Sequence, residues 1–565
     1  MSIKKLLVAN RGEIAIRILR AAADLGIPTV AVYATDEAES LHLAKADEAA
    51  ILPGRGVPAY LDSGAILDLA RELGCDAIHP GYGFLSENAE FALACAQAGV
   101  AFVGPGAETL SMFGDKAAAR DLAEKCGVPV LPGSQGATDV AAAEAFFEAH
   151  GPTMIKAIGG GGGRGMRAIH EKKDIAAALE ICQGEALQAF GNGDVFVERL
   201  LQQPRHIEVQ IIGDGSGAIS HLGERECSIQ RRHQKLVEMA PAPGLAPLLR
   251  ERLTQAAVKL AGAVDYRNVG TFEFLIEGDD YFFIEANPRL QVEHTVTEEV
   301  WGVDLVQTQL HIAGGATLSD LNLAQDQVAP PRGQAMQVRI NMETIEADGS
   351  VRPSGGTLEA FEMPSGPGIR VDTFGYPGYR TSPSYDSLLA KLIAHANGND
   401  FTVLARKTYR ALCECRITGL ASNISFLQNL VTHPDFRAGK INTQFIDTHL
   451  DDLVGGTDHQ RLFLTPDADD PADANLVGVK VDASDPLAVL SHGKSEAAPT
   501  AAASSDLAGP DGTVAISAPM LGTIVSVDVT VGDDVYPGRQ VLIMEAMKMQ
   551  HVIEAEFSGI VRQLP

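Results

Sequence analysis

The stretch from Gly270 to Asn287 carries residues whose types and spacing most directly suggest chemistry. Two apolar, aromatic-rich runs flank Gly278, Asp279 and Asp280, a turn signal that predicts a β-hairpin. With those three residues as the loop, Glu277 faces Tyr281 and Glu273 faces Glu285. Carboxylates directly opposite one another, with Cβ atoms about 5 Å apart, destabilise a bare sheet. Asn287 stands two residues beyond Glu285 and shares its face, because strand side chains alternate. Two carboxylates and an amide oxygen converging on one spot suit a hard divalent cation, and Mg2+ where phosphate oxygens are bridged as well. The alternative is a solvated acidic face on an acidic protein; the facing register favours the metal.

Pro288 ends the strand, and Arg289, Gln291, Val292, Glu293 and His294 follow. A guanidinium holds a planar oxyanion and a carboxylate takes a proton. Together they suit a small anionic substrate activated beside a nucleotide. The run Phe-Ile-Glu-Ala-Asn-Pro-Arg-Leu from Phe283 to Leu290 resembles a signature of the biotin carboxylase and carbamoyl-phosphate synthetase group, whose fold is the ATP-grasp. The Gln-Val-Glu-His continuation resembles the biotin-dependent carboxylases in particular, and similarity to them extends along almost the whole chain.

The elements that must position these residues are legible in outline. The 565 residues, 45% of them hydrophobic, can bury several cores, and three to five structural units are expected. A formal net charge of −28 argues against nucleic-acid and anionic-membrane partners, so anionic substrates must meet local basic clusters. Cys75, Cys95, Cys126, Cys182, Cys227, Cys413 and Cys415 form no Cys-x-x-Cys pair and read as reduced thiols. Cys227 reads as a small buried side chain rather than a nucleophile. The apolar run after Lys4 and Lys5 is interrupted too early for a signal peptide, so a cytoplasmic protein is expected.

Residues Lys5–Ala9, Ile14–Leu25 and Thr29–Ala34 read as strand, amphipathic helix and strand, a Rossmann-type opening without the dinucleotide glycine pattern. His79 to Asn88 is a Gly-rich loop expected to shape a wall of the site. Lys116 opens a helix. Gly159 to Gly163, with Gly165, lies between Met154–Ile158 and Met166–Ile169, two strand-like runs. No Lys-Ser/Thr follows, which excludes a Walker loop. A Gly-rich lid capping a hairpin fits better, since backbone N–H groups without a Cβ can approach phosphates. Glu224 to Lys235 concentrates positive charge in an acidic chain; a solvated face is the usual meaning of such a run.

The resemblance assigns roles. It implies ATP contacts at Lys116, Lys156, Gly162, Gly163, Glu198, Arg199, Leu200, Leu201, His206, His233, Glu273 and Glu285, with Glu198 accepting from the adenine amino group. It implies Mg2+ or Mn2+ on Glu273, Glu285 and Asn287, and bicarbonate on Lys235, Arg289, Gln291 and Val292. Glu293 is then the base, Arg289 and Lys235 assist catalysis, and Arg339 binds and steadies the biotin oxyanion. Gln334, Gln337 and Thr344 depart from the His, Glu and Asp usual in the family. The Tyr385–Ile393 and Ile417–Asn423 runs resemble the carboxylase C-terminal domain and read physically as core packing and turns.

From about Gly455 the composition turns to Ala, Ser, Thr, Pro and Asp, a linker with a short ordered piece expected near Val477–Leu490. If flexible, it would reach about 40 Å on average. Gly522-Thr523-Ile524-Val525 is echoed by Gly559-Ile560-Val561 in a small β module. Met544-Glu545-Ala546-Met547-Lys548-Met549 between them resembles the biotinyl attachment motif, which puts biotin on Lys548. Fewer residues follow Lys548 than precede it in the module, and the counterpart of Val531-Gly532-Asp533 is missing. A fragment of a longer polypeptide, or an incompletely covered subunit, is therefore expected.

The expected organisation is α/β: a Rossmann-like domain at 1–115, an ATP-grasp domain at 116–332 with its lid at about 131–204, an α+β C-terminal domain at 333–450, a linker at 451–512 and an all-β, lipoyl-like biotinyl module at 513–565. The expected function is ATP-dependent carboxylation of biotin by bicarbonate through carboxyphosphate, in the manner of an acyl-CoA carboxylase α subunit. A carboxyltransferase subunit or domain, a biotin protein ligase and a homo-oligomer, at least a dimer, are the implied partners. The rivals are another ATP-grasp ligase, against which Lys548 and Gln291–His294 speak, and a non-catalytic carrier, against which the intact acid and base set speaks.

Overall fold

In the computed structural model, residues 3–134, 136–158, 166–190, 192–456, 458–464, 513–514, 516, 523–546 and 549–564 are described. The N-terminal strand and helix form where expected: Leu6–Val8 and Thr29–Tyr33 pair in parallel around the helix Gly12–Asp24. The five-stranded sheet runs Glu48–Ile51, Thr29–Tyr33, Leu6–Val8, Ala77–His79, Ala101–Phe102. Strand order reverses beside Leu6–Val8, and the loops after Leu6–Val8 and Ala77–His79 open there, the place where such sheets hold ligands. Asn10 Nδ2 ties them, donating to the carbonyls of Pro80 at 2.6 Å and Tyr82 at 2.8 Å. Gly81 sits at φ +66°, and a Cβ on it would lie 2.8 Å from that nitrogen, so only glycine fits.

The expected lid hairpin is a three-stranded antiparallel sheet, Met166–Ile169, Thr153–Ala157 and Val195–Arg199. Ile155, Ile169, Val195 and Val197 pack with Leu179 and Cys182 of the helix Ile175–Phe190. Gly162 and Gly163 lie outside the described residues, as does the Val477–Leu490 piece.

The site rests on an eight-stranded antiparallel sheet ordered Asp280–Asn287, Arg267–Glu277, Arg205–Asp214, Ile219–Arg231, Gln234–Ala240, Gln334–Asn341, Leu388–Ala396, Ile369–Thr373. It runs on past residue 333, so strands from the ATP-binding and C-terminal portions share one hydrogen-bonded ladder. The helix Pro247–Gly262 covers the aromatic cluster of Phe272, Phe274 and Phe283. The helices Phe401–Glu414 and Ile424–Thr432 cover the Met336, Val338 and Leu392 end. No helix among the described residues is long and apolar enough to cross a membrane.

The N-terminal domain is fixed to this sheet by charge. Arg17 reaches Glu298 at 2.8 Å and Asp304 at 2.7 Å. Lys391, fully buried, reaches Glu13 at 2.9 Å and the Val292 carbonyl at 3.2 Å. Tyr82 also donates to Glu13.

The module pairs Thr523–Val527, Gln540–Ala546 and Met549–Glu554 in one antiparallel sheet and Asp534–Val535 with Gly559–Ile560 in another. Thr523–Val525 and Gly559–Ile560 of the echoed segments are thus in strands. Ala546 stands opposite Met549; Met547 and Lys548, between them in sequence, lie outside the described residues.

Removing one member of a buried ion pair leaves the other charged and uncompensated, at a cost of about 3 kcal/mol. Lys391→Met is expected to lower the thermal unfolding midpoint clearly, and adding Glu13→Gln to recover part of the loss. A midpoint unchanged by Lys391→Met would refute the anchoring role.

Candidate active site

The hairpin forms, and its register carries the two central carboxylates into line by a different route from the one expected. Its closing pair is Glu277 with Asp280, leaving a two-residue turn in which Gly278 takes φ +63°. Glu277 therefore does not face Tyr281, whose partner is Ile276. The tighter turn advances the register by one residue, and a bulge between Glu273 and Phe274 restores it, because Ile284 has no partner across the ladder. Glu273 consequently faces Glu285, and Asn287 pairs with Thr271.

The row continues across the sheet. Glu273 also faces Glu208, and Glu208 faces Arg225. Three carboxylates side by side would split a bare sheet; cations hold this row together. Arg225, fully buried, donates from Nε to Glu208 and from its terminal nitrogens to Gln210 at 2.7 Å, Thr297 at 2.9 Å and Thr271 at 3.0 Å. His206 Nε2 meets Glu273 Oε2 at 2.6 Å, and its other ring nitrogen meets Gln230.

Lys235 closes the arrangement. Its Nζ lies 2.6 Å from Glu208, 3.1 Å from Glu273 and 2.7 Å from Glu293. Burial opposes the ammonium, but Cys227 and the three carboxylates outweigh it and hold the pKa well above the lysine range. Burial also works against the Glu273 and Glu293 carboxylates. Lys235 and His206 nevertheless keep Glu273 far below the usual range. Lys235, opposed by Glu208 and helped by Arg339, keeps Glu293 below it. Both are ionised at neutral pH.

Arg339 meets Glu293 at 3.0 Å and Glu238 from its Nε at 2.6 Å. Gln337, one of the three departures, donates to Glu238 at 2.9 Å and accepts from Thr295. A neutral amide there spares Glu238 a second carboxylate at its side. Thr344 lies outside this cluster, 3.5 Å from Glu346, and Gln334 stands at the far end of the same strand opposite Ala396.

Arg289 donates to Glu87 at 2.8 Å and to Asn287 and Gln291 at 3.2 Å. Gln291 Nε2 is buried without a partner, and burying an unpaired amide is costly. It lies in the run expected to hold an anion, and an anion oxygen would satisfy it. The Val292 carbonyl accepts from Lys391 at 3.2 Å.

The proposed metal ligands meet incompletely. Asn287 Nδ2 lies 2.7 Å from Glu273 Oε1, and exchanging the amide's two ends would turn an oxygen toward the same point. Glu285 leans outward toward Lys116, 3.8 Å away. Two carboxylates, an amide and a nearby lysine fit a divalent ion shared with phosphate.

The remaining expected ATP contacts are on the lid and its approaches. Lys156 pairs with Glu198 across neighbouring strands. Arg199 meets Glu277 at 2.8 Å, which ties the lid to the hairpin tip. Leu200 donates its N–H to the Pro152 carbonyl at 2.9 Å, and Leu201 is buried. His233 occupies a left-handed turn, φ +67°, between Ile219–Arg231 and Gln234–Ala240. Sequence reasoning gave no role to Glu208, Arg225, Glu238 or Glu87. The first three take their places through pairing between strands distant in sequence, which no local pattern announces.

Comparison with known proteins gives family models over most of the chain. Residues 2–110 match the biotin carboxylase N-terminal domain, 115–321 the carbamoyl-phosphate synthase L chain ATP-binding domain, 337–448 the biotin carboxylase C-terminal domain and 514–565 a model described as biotin-requiring enzyme. Human mitochondrial pyruvate carboxylase is 50% identical over 452 residues, which cover 79% of this chain and 38% of that protein. The biotin carboxylase domain of Hydrogenobacter thermophilus 2-oxoglutarate carboxylase, solved as a dimer with MgADP, ADP and bicarbonate, is 41% identical with a TM-score of 0.76. That match covers 81% of this chain and all of the other. A single-chain, multi-domain long-chain acyl-CoA carboxylase is 43% identical, TM-score 0.71, over 99% of this chain and 48% of its own.

Glu285 is partly exposed and its carboxylate turns toward Lys116, so its loss should spare the fold and weaken the ion. Glu285→Gln is expected to weaken Mg2+-nucleotide binding about tenfold, about 1.4 kcal/mol. Isothermal titration that returned an unchanged affinity would count against the metal assignment.

Proposed function

The chain belongs to the biotin-dependent carboxylases, as a biotin carboxylase followed by a biotinyl module, and we propose that it carboxylates biotin on Lys548 using bicarbonate and ATP. Bicarbonate is a poor electrophile. Transfer of the γ-phosphoryl group to one of its oxygens forms an O–P bond as the bond to ADP breaks, giving carboxyphosphate. Cleavage of its C–O bond releases CO2 and phosphate, the phosphate takes the N1′ proton of biotin, and that nitrogen then bonds to the CO2 carbon.

The observation that carries this reading is the Lys235 cluster. Lys235 and Arg289 offer cationic donors, Gln291 a spare amide and Val292 an N–H, a set complementary to a small planar anion. Glu293, ionised and in contact with Lys235 and Arg339, is positioned to take the bicarbonate proton. Arg339 is the neighbouring cation for the ureido oxygen of biotin. Glu273, Glu285 and Asn287 would hold Mg2+, or Mn2+, whose charge would offset that developing in phosphoryl transfer. Lys116, Lys156, His206, His233 and Glu198 through Leu201, with lid residues Gly162 and Gly163, hold the nucleotide in this reading.

The chain spans 38–39% of the pyruvate carboxylases of human and Bacillus subtilis, so the acceptor step lies beyond its own residues. A carboxyltransferase subunit or domain takes that role, and a biotin protein ligase modifies Lys548. Match length favours an acyl-CoA acceptor: the long-chain acyl-CoA carboxylase aligns with 99% of this chain. The 452-residue pyruvate carboxylase match amounts to little more than the carboxylase domains. Pyruvate is the second reading, on the strength of 50% identity within those domains. A homo-oligomer, at least a dimer, is in keeping with the Hydrogenobacter domain dimer. The free cysteines, all buried except the half-buried Cys126, are in keeping with a cytoplasmic enzyme.

ATP hydrolysis by the purified chain is expected to require bicarbonate and to rise with free biotin; hydrolysis indifferent to bicarbonate would reject the reading. Lys548→Ala should abolish streptavidin labelling, and a labelled variant would move the attachment point. In the assembled enzyme, carboxyl transfer from labelled bicarbonate to a long-chain acyl-CoA but not to pyruvate is expected; the reverse preference would select the second reading.

A further inference from the structure

The strand Met549–Glu554 of the module lies against the carboxylase portion of the same chain beside Val351–Pro353. His551 is buried there, and its Nδ1 is 2.8 Å from the Pro383 carbonyl. A carbonyl only accepts, so Nδ1 carries a proton, and Nε2 is buried without a hydrogen-bond partner. At the end of the strand Glu554 is half-buried over Gly355, where a Cβ would stand 3.8 Å from its Oε1. Burial pushes that carboxyl up and the Arg380 guanidinium opposes the shift. A cavity of about 240 Å3 remains between the two parts, lined by Gly355, Arg380, Tyr385 and Asp386 on one side and Gly538 and Val552 on the other.

The opposite end of the module's hairpin points the same way. Burial works against the charge of Arg231, which Glu343 and the module's Glu545 support. Arg231 ends the strand that turns through His233 into Lys235. Polar pairs around a cavity, rather than a dry apolar seam, are what a reversible contact between domains needs.

We propose that His551 and Glu554 form a docking surface by which the module seats on Pro383 and Arg380 of its own chain while its biotin is carboxylated. The proposal rests on the reading of the chain as a biotin carboxylase and adds where on it the carrier is received. His551 holds the strand by one directional hydrogen bond, and Glu554 and Arg380 line the same cavity from opposite sides.

The test uses the biotinylated full chain with two readouts. Free-biotin-stimulated, bicarbonate-dependent ATP hydrolysis reports the site alone, and single-turnover labelling of the tethered biotin by labelled bicarbonate reports docking. Glu554→Arg is expected to slow labelling of the tethered biotin about tenfold while sparing the free-biotin reaction, as mispairing a part-buried charge does. Arg380→Glu in the same chain should restore much of the rate, and His551→Ala should slow it as well. Streptavidin labelling of every variant verifies that the module is folded and modified. Tethered labelling at the wild-type rate in Glu554→Arg, or no rescue by Arg380→Glu, would overturn the proposal. Loss of the free-biotin reaction in the unsubstituted chain would instead reject the carboxylase reading beneath it.

Discussion

Lys235 places one ammonium between the carboxylates of Glu208, Glu273 and Glu293, with little access to solvent. Charges removed from water cost several kcal/mol each, and their attraction offsets this only where geometry and hydrogen bonds are nearly complete. Arg225, His206 and Arg339 complete them here. The protein thus keeps lysine and arginine buried within a chain of net charge −28 by surrounding each cation with its own carboxylates. Substrate anions arriving there compete for lysine and arginine donors that are already oriented, which suits phosphoryl transfer, where positioning and charge do most of the work.

This cluster explains why the contributing residues are scattered along the chain. The eight-stranded sheet brings Glu208, Arg225, Lys235, Glu273 and Arg339 together from five strands. Glu87 joins from the N-terminal domain through Arg289. Lys391 holds that domain to the sheet and also fixes the Val292 carbonyl, immediately before Glu293. A change at the domain seam is therefore a change near the Glu293 carboxylate.

The acidic hairpin was legible in the sequence because period-two alternation and a Gly-Asp turn are local signals. Its register was right for Glu273 and Glu285 but wrong for Glu277, since the two-residue turn and the compensating bulge at Ile284 leave the same pairing beyond them. Glu208 and Glu238 were not legible, because which strands lie beside Arg267–Glu277 and Gln334–Asn341 is decided by long-range pairing. Lys391 was read as core packing for the same reason: its partner Glu13 lies in another domain. Roles such as that of Glu198 came from family resemblance, and local chemistry alone would have left it an unremarked strand glutamate.

The most direct measurement follows oxygen. If ATP phosphorylates bicarbonate in the Lys235 pocket, turnover with 18O-labelled bicarbonate in unlabelled water must place one labelled oxygen in the inorganic phosphate. Phosphate carrying label in step with ATP consumed is the result expected. Unlabelled phosphate would mean that water attacks ATP instead, and would contradict the account.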